Sequence, residues 1–344
     1  MSPLFRNKIF NEQGFREKKY RRIINGNTTN ILELNEIKYD WAYKLYRTMQ
    51  FTNFWVPQEI SMQDDKKQYL QLTEGEKRAY ELTLSFLIVL DSYQVNFLKE
   101  IARYITAPEI VLALTAQEAQ EAIHAFAYQT ILEAVVDPIK ADEIYNMWRE
   151  DALLKERIKV IAQVYDEFVT NPNQETFYKA LVADYVLEGL YFYSGFAMFY
   201  AFAHNHKMLN TTQQIKYINR DELTHVSLFA KLILTLLKEE PNILTPDLKK
   251  WTVEFIKQAT DSEVKWGQYV TNNNITGLNN QLIKAYIEYI ANKRLLTLGF
   301  QPVFEVSENP LPWIEKISRL NDTKTDFFQR KVLNYANRIE LRWE

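Results

Sequence analysis

From about residue 40 onward, apolar residues recur every three to four positions, the period of helices with one buried face. Trp55-Val56-Pro57 interrupts the first such stretch, because proline disfavours helical backbone at the residue before it. The run TEGEKRAYELTLSFLIVLDSYQ opens with Thr73 and places Glu76 three residues on, the spacing of a capping box. It predicts a helix from 73 to about 105. Thr106-Ala107-Pro108-Glu109 then supplies a cap, a proline near the first helical position and an early acid, so the next helix is expected over 108–135, ending at Asp137-Pro138. One or two amphipathic helices fill 139–170, and Thr170-Asn171-Pro172-Asn173 reads as a loop. Residues 174–204 are almost wholly apolar, as in a helix buried all round. Asn210-Thr211 is the expected cap of a helix reaching about 239, before Pro241, and amphipathic helix fills 246–298. After Phe300 the pattern loosens, and QPVFEVSENPLPW carries three prolines. No strong alternating strand pattern, internal low-complexity tract or glycine-rich phosphate loop interrupts this reading. The expectation is an all-α chain with an N-terminal arm (1–40), a helical domain (41–300) and a C-terminal arm and tail (301–344).

Composition narrows the class. The chain has 344 residues, 47% of them hydrophobic and 25% charged, with only 8 Gly and 10 Pro. That suits an ordinary soluble globule of long helices. A net charge of −3 offers no global field for nucleic acid or anionic membrane. The basic run at 16–22 (REKKYRR) reads as a solvated arm or helix face. The complete absence of cysteine excludes disulfides, thiolate metal sites, iron–sulfur clusters and cysteine nucleophiles. No secretory pattern opens the sequence. The longest apolar stretch, 189–203, is 15 residues, short of the roughly 18 needed to span a bilayer. A cytoplasmic location, with no membrane or nucleic-acid partner, is therefore expected.

The chemistry concentrates around two of the four histidines. Glu121-x-x-His124 and Glu222-x-x-His225 each place a carboxylate and an imidazole on one helix face, where they can hold one ion together. Each is preceded by a lone acid in an apolar helix: Asp91 lies thirty residues before Glu121, and Glu188 thirty-four before Glu222. This repeated arrangement would bring four carboxylates and two imidazoles into the middle of a four-helix bundle, the ligand inventory of carboxylate-bridged dimetal sites in ferritin-like folds. Four buried carboxylates cannot all ionise unaided. Two divalent cations balance them, and hard oxygen ligands with some nitrogen suit iron or manganese. Glu118 extends the first motif to Glu118-x-x-Glu121-x-x-His124, so spacing alone leaves open which glutamate ligates. Tyr128 lies one turn beyond His124, and Phe192 and Phe196 follow Glu188 on one stripe. A phenol there is either a radical site or a core tyrosine bonded to a ligand carboxylate. His204 and His206 sit at a helix end and receive no function.

These residues carry a resemblance to the small (beta) subunit of class I ribonucleotide reductase. The matching stretches are FWVPQEI (54–60), LDSYQ (90–94), EAIHAFAY (121–128), LEGLYFYSGF (187–196) and INRDELTH (218–225), in family order and spacing. The resemblance implies a ferritin-like helical bundle with two ions per chain, Fe/Fe, Mn/Fe or Mn/Mn. Asp91, Glu121 and His124 resemble the ligands of one ion; Glu188, Glu222 and His225 resemble those of the second. Tyr128 falls on the family's radical tyrosine, and Phe192, Phe196 and Ile218 on its apolar pocket. Trp55 and Asp221 match the tryptophan and acid of the family's oxidant-transfer route, and Tyr335 looks like the tail tyrosine that hands the oxidant to the large subunit. The implied partners are the large (alpha) subunit and a second copy of the chain, with a flavoprotein activase left open. The ending NPLPW…FF…Y…W looks most like the chlamydial-type branch. That branch has Phe where this chain has Tyr128, and Glu where it has Asp91. Other members keep the tyrosine unoxidised beside a dimanganese centre, so storage of the oxidant on Tyr128 or on the metals stays open.

The expected activity is that of a ribonucleoside-diphosphate reductase beta subunit, supplying a one-electron oxidant for ribonucleotide reduction. Its rivals are a stand-alone Fe/Mn oxidase or hydroxylase, a metal-storage protein and a purely structural bundle.

Overall fold

The computed structural model describes residues 3–320, and among them the regular structure is helical. The main elements in chain order are α1 (Asp40–Arg47), extended by a π segment (Thr48–Thr52), α2 (Gln63–Gln71), α3 (Glu74–Ala102), α4 (Pro108–Val135), α5 (Pro138–Glu150), α6 (Ala152–Thr170), α7 (Gln174–Val186), a π turn (Leu187–Tyr191), α8 (Tyr193–His204), α9 (Leu209–Glu239), α10 (Pro246–Thr271), α11 (Asn280–Thr297) and α12 (Pro312–Ser318). The helices pack as a bundle, as the all-α reading expects. The short 103–107 connection folds α4 back along α3, while α9 packs against α7, α8 and α4.

Local signals explain most starts. Thr73 Oγ1 accepts from Glu76 N at 3.3 Å, and Glu76 Oε2 accepts from Thr73 N at 3.0 Å, the reciprocal capping box read from the sequence. Asn173 closes a second box with Thr176, which fixes the start of α7 at Gln174. On α4 the buried positions Ala113, Gln117, Gln120, Glu121, His124, Ala127 and Tyr128 recur at helical spacing, so one inward stripe carries both packing and polar groups.

Several local expectations give way to tertiary bonds. Thr106 does not cap α4; its hydroxyl donates to Arg22 O at 2.7 Å and accepts from Gly26 N at 3.0 Å. The early acid Glu109 is buried, pairs with Arg21 at 2.7 Å and accepts from Lys38 N and Tyr39 N. Arg21 is thus not part of a solvated run, and breaking such a buried pair costs about 3–5 kcal/mol. Helix α3 ends at Ala102, three residues before the expected limit. Asn210-Thr211 does not cap α9, which starts at Leu209. The buried Asp65 carboxylate of α2 accepts from Asn210 N at 3.1 Å and Thr211 N at 2.6 Å instead. The apolar stretch 174–204 is not one helix either, because the π turn divides it at Glu188. Among the described residues no helix is long and apolar enough to cross a membrane.

Candidate metal centre

Four elements each deliver one part of a buried polar cluster. Helix α3 carries Asp91, α4 carries Glu121 and His124, the π turn carries Glu188, and α9 carries Glu222 and His225; all six side chains are fully buried. Their ligand atoms fall into two groups, each within 4.8 Å: Asp91, Glu121, His124 and Glu222, then Glu121, Glu188, Glu222 and His225. Glu121 and Glu222 belong to both groups, the positions of bridging carboxylates. Glu118 stays outside and pairs with Lys99 at 3.1 Å, which separates it from Glu121.

The two imidazoles are presented alike. His124 Nδ1 lies 3.1 Å from Glu222, 3.4 Å from Glu121 and 3.7 Å from Asp91. His225 Nδ1 lies 2.9 Å from Glu222, 3.0 Å from Glu121 and 3.6 Å from Glu188. Each Nε2 faces away, toward Asp221 Oδ2 at 3.3 Å for His124 and toward Gln120 Oε1 at 3.0 Å for His225. An Nε2–H donated to such an acceptor fixes the tautomer that offers the Nδ1 lone pair to a cation. Gln120 precedes Glu121 as Asp221 precedes Glu222, so each motif supplies the acceptor for the other motif's histidine. That offset is visible in the sequence, and reading it would have found Gln120.

The cluster fits a pair of cations on its own geometry. Both oxygens of Asp91 and of Glu121, one oxygen of Glu188, one of Glu222 and Nδ1 of His124 are buried without a hydrogen-bond partner. Most buried polar atoms in folded proteins are paired, and here seven orphans, six of them carboxylate oxygens, crowd into one cluster, which calls for a cation. Burial, then the neighbouring Glu121, raises the Asp91 pKa well above the carboxylate range; burial and Glu222 do the same to Glu188. Burial would lower both histidines, but Asp221, Glu121 and Glu222 around His124, and Glu121, Glu188 and Glu222 around His225, outweigh it and raise them. Burial alone would lift Glu222, yet bonds to Glu188 and the histidines leave it below its ordinary range. Hard oxygen donors with two nitrogens and no thiolate suit iron or manganese.

Further side chains, silent in the sequence, brace the second group. Gln94 and Gln117 both donate to Glu188 Oε1, Gln117 at 2.6 Å. Tyr165 donates to Asp184 Oδ1 at 3.0 Å and reaches Gln94 Oε1 at 3.2 Å. On the other side, Trp55 Nε1 donates to Asp221 Oδ2 at 2.9 Å, while Arg220 donates to Asp221 Oδ1 at 3.0 Å. The indole stacks on Tyr217 with ring centres 5.2 Å apart. Tyr128 is fully buried with its hydroxyl facing the Asp91 carboxylate; burial, then Asp91, raises its pKa. Phe192 and Phe196 stack at 5.5 Å and, like Ile218, are buried. His204 is exposed and stacks on Trp313. Tyr335 lies outside the described residues.

Comparison with known proteins agrees with this geometry. Residues 31–310 match the family described as "Ribonucleotide reductase, small chain". The ribonucleoside-diphosphate reductase subunit beta of Treponema pallidum is 43% identical over 336 residues, 97% of this chain and 95% of that one. The Aquifex aeolicus subunit beta is 63% identical over 226 residues, which are 65% of this chain and 32% of that one, so the match spans about a third of that relative. The ribonucleotide reductase R2 subunit from Clostridium botulinum is 46% identical and superposes with a TM-score of 0.90, covering 93% of this chain and all of that one.

Proposed function

The chain belongs to the ribonucleotide reductase small-chain family, and from that premise we propose that it is a beta subunit that generates a one-electron oxidant and passes it to a separate large subunit for ribonucleotide reduction. The observation that carries this reading is the Trp55–Asp221–His124 chain of contacts, which ties an oxidisable indole to the rim of the carboxylate–histidine cluster. Asp91, Glu121 and His124 would hold one ion and Glu188, Glu222 and His225 the second, with Glu121 and Glu222 placed between them. When bound, this iron or manganese pair supplies the oxidising power through its reaction with an oxygen species.

The protein's own contribution is positioning and insulation. Asp221 holds His124 in one tautomer and at the same time accepts the indole proton of Trp55, so loss of an electron from the indole has a nearby base. In this reading the buried apolar side chains of Phe192, Phe196 and Ile218, in a chain with no thiol, would shield an oxidised Tyr128 from quenching. Tyr128 and the metals are the two storage places this reading provides, and Tyr128→Phe separates them. Tyr335 is the proposed last residue of the route, and 301–344 the proposed docking segment. An electron moves only short distances in one step, so redox-active side chains must be spaced between the two subunits. The family assembles as a homodimer with the large subunit as partner; a cytoplasmic location is proposed with it. A flavoprotein activase is a further proposed partner, tested by whether the reduced centre needs one to react.

A stand-alone oxidase would use the same cluster but has no role for the bond between Trp55 and Asp221. The chain has no cysteine, and the family's nucleotide reduction uses thiols, so turnover should require the large subunit. Turnover of a ribonucleotide by the purified chain alone contradicts the proposal. Loss of large-subunit binding after deletion beyond about residue 321 supports it, whereas full retained function points to the oxidase.

A further inference from the structure

Glu188 hangs from the π turn that divides α7 from α8. Such a turn breaks the regular hydrogen-bond ladder, occurs rarely, and clusters at functional sites. A backbone carbonyl left over in a buried segment needs a donor from elsewhere. Two carbonyls of this turn find theirs on arginines from other helices. Arg294 of α11 donates from Nε to Gly189 O at 2.7 Å and from Nη2 to Tyr193 Oη at 2.6 Å. Arg157 of α6 donates to Tyr191 O at 3.1 Å. The same guanidinium pairs with Glu263 of α10, whose other oxygen accepts from Ser194 N at 2.8 Å.

The arrangement is built for close approach. A Cβ at position 189 would stand 2.7 Å from Arg294 Nε, so the glycine beside Glu188 is what lets the guanidinium reach the backbone. Both arginines are buried. Arg157 has a carboxylate partner, but Arg294 has no ion-pair partner within 4.0 Å among the described residues. Burying an unpaired cation is costly, and an apolar side chain could fill the same space. What the guanidinium adds is two directed donors, one to the Gly189 carbonyl inside the turn and one to the Tyr193 hydroxyl just beyond it.

We propose that Arg294, supported by Arg157, is a positioning residue that holds the π turn in the shape that aims Glu188 at the second ion position. The proposal rests on Glu188 ligating that ion. Its test is titration of Mn(II) into the metal-free full chain and into Arg294→Gln and Arg294→Lys, with bound ions counted by calorimetry and by the resonance signal of free Mn(II). The natural chain should bind two ions. Arg294→Gln should keep one at its natural affinity and bind the other on the order of tenfold more weakly, the lower range for partners that act behind a ligand. Arg294→Lys should recover part of that loss, because an ammonium can reach one of the two acceptors. If Arg294→Gln does not fold, the lysine variant decides by whether its loss is confined to one ion. Natural affinity for both ions, or equal weakening of both, overturns the proposal even if the variant melts earlier. A natural chain that binds no ion pair overturns the metal reading itself, and this inference falls with it.

Discussion

Trp55 Nε1 donates to Asp221 Oδ2 at 2.9 Å, and that same oxygen stands 3.3 Å from His124 Nε2. One carboxylate oxygen therefore serves an imidazole of the carboxylate–histidine cluster and an oxidisable indole together. Trp55→Phe keeps an aromatic ring against Tyr217 but removes the N–H and the easily oxidised indole. It should bind two ions as the natural chain does and lose reductase activity with the large subunit. Asp221→Asn should lower activity by about 10–100-fold, the usual cost of removing a partner behind a metal ligand. Activity assays beside metal counts check both; activity retained in Trp55→Phe removes the indole from the route.

Tyr128 is buried with its hydroxyl beside the Asp91 carboxylate, which together with burial raises its pKa. A hydroxyl–carboxylate contact is worth about 1 kcal/mol net against the cost of burying the hydroxyl, so Tyr128→Phe should change stability by no more than about 1 kcal/mol. Denaturant melts of the metal-free proteins measure this. After activation, a tyrosyl resonance signal in the natural chain that is absent from the variant places the oxidant on Tyr128. Full activity of the variant places it on the metals.

The metal cluster was largely legible because it rests on local periodicity. Glu121 and His124, and Glu222 and His225, share a helix face at any tertiary arrangement, and Asp91 and Glu188 stand out as lone acids in apolar helices. What escaped depends on contacts far apart in sequence. Gln94 and Gln117 are ordinary helical glutamines until the bundle brings them to Glu188. The π turn at Leu187–Tyr191 left no mark in an apolar stretch that any buried helix could show. The start of α9 followed from Asp65, 145 positions before Asn210, and not from a residue beside it.

That remote cap is open to test. Asp65 accepts from two backbone donors at the first turn of α9, the helix that carries Asp221, Glu222 and His225. Asp65→Ala should cost about 1–2 kcal/mol, the range for loss of a helix cap, read as a lower urea midpoint with unchanged slope. Asp65→Asn retains an acceptor and should recover part of it. A midpoint unmoved in Asp65→Ala shows that α9 needs no such anchor.

Protons and cations should compete for the cluster. Within the cluster, Asp91, Glu188, His124 and His225 have raised pKa values in the metal-free fold, while Glu222 alone is lowered. A raised folded-state pKa means that the folded protein binds more protons than the unfolded chain, so stability falls as pH rises through that value. Four groups act in this sense against one. The metal-free protein should therefore lose stability as pH rises above the ordinary carboxylate range of about 4, and further above about 6.5 as the histidines follow. Ion binding displaces those protons, so Mn(II) affinity should rise across about pH 6 to 8 with proton release. Calorimetry in buffers of different ionisation enthalpy reads the release directly; binding without released protons contradicts the assigned ligands.

The most direct measurement is anomalous diffraction from crystals of the full chain loaded with manganese. Two peaks per chain should appear, one among Asp91, Glu121, His124 and Glu222, the other among Glu121, Glu188, Glu222 and His225. A fully loaded crystal with no density inside the bundle, or with ions held by other side chains, contradicts the account.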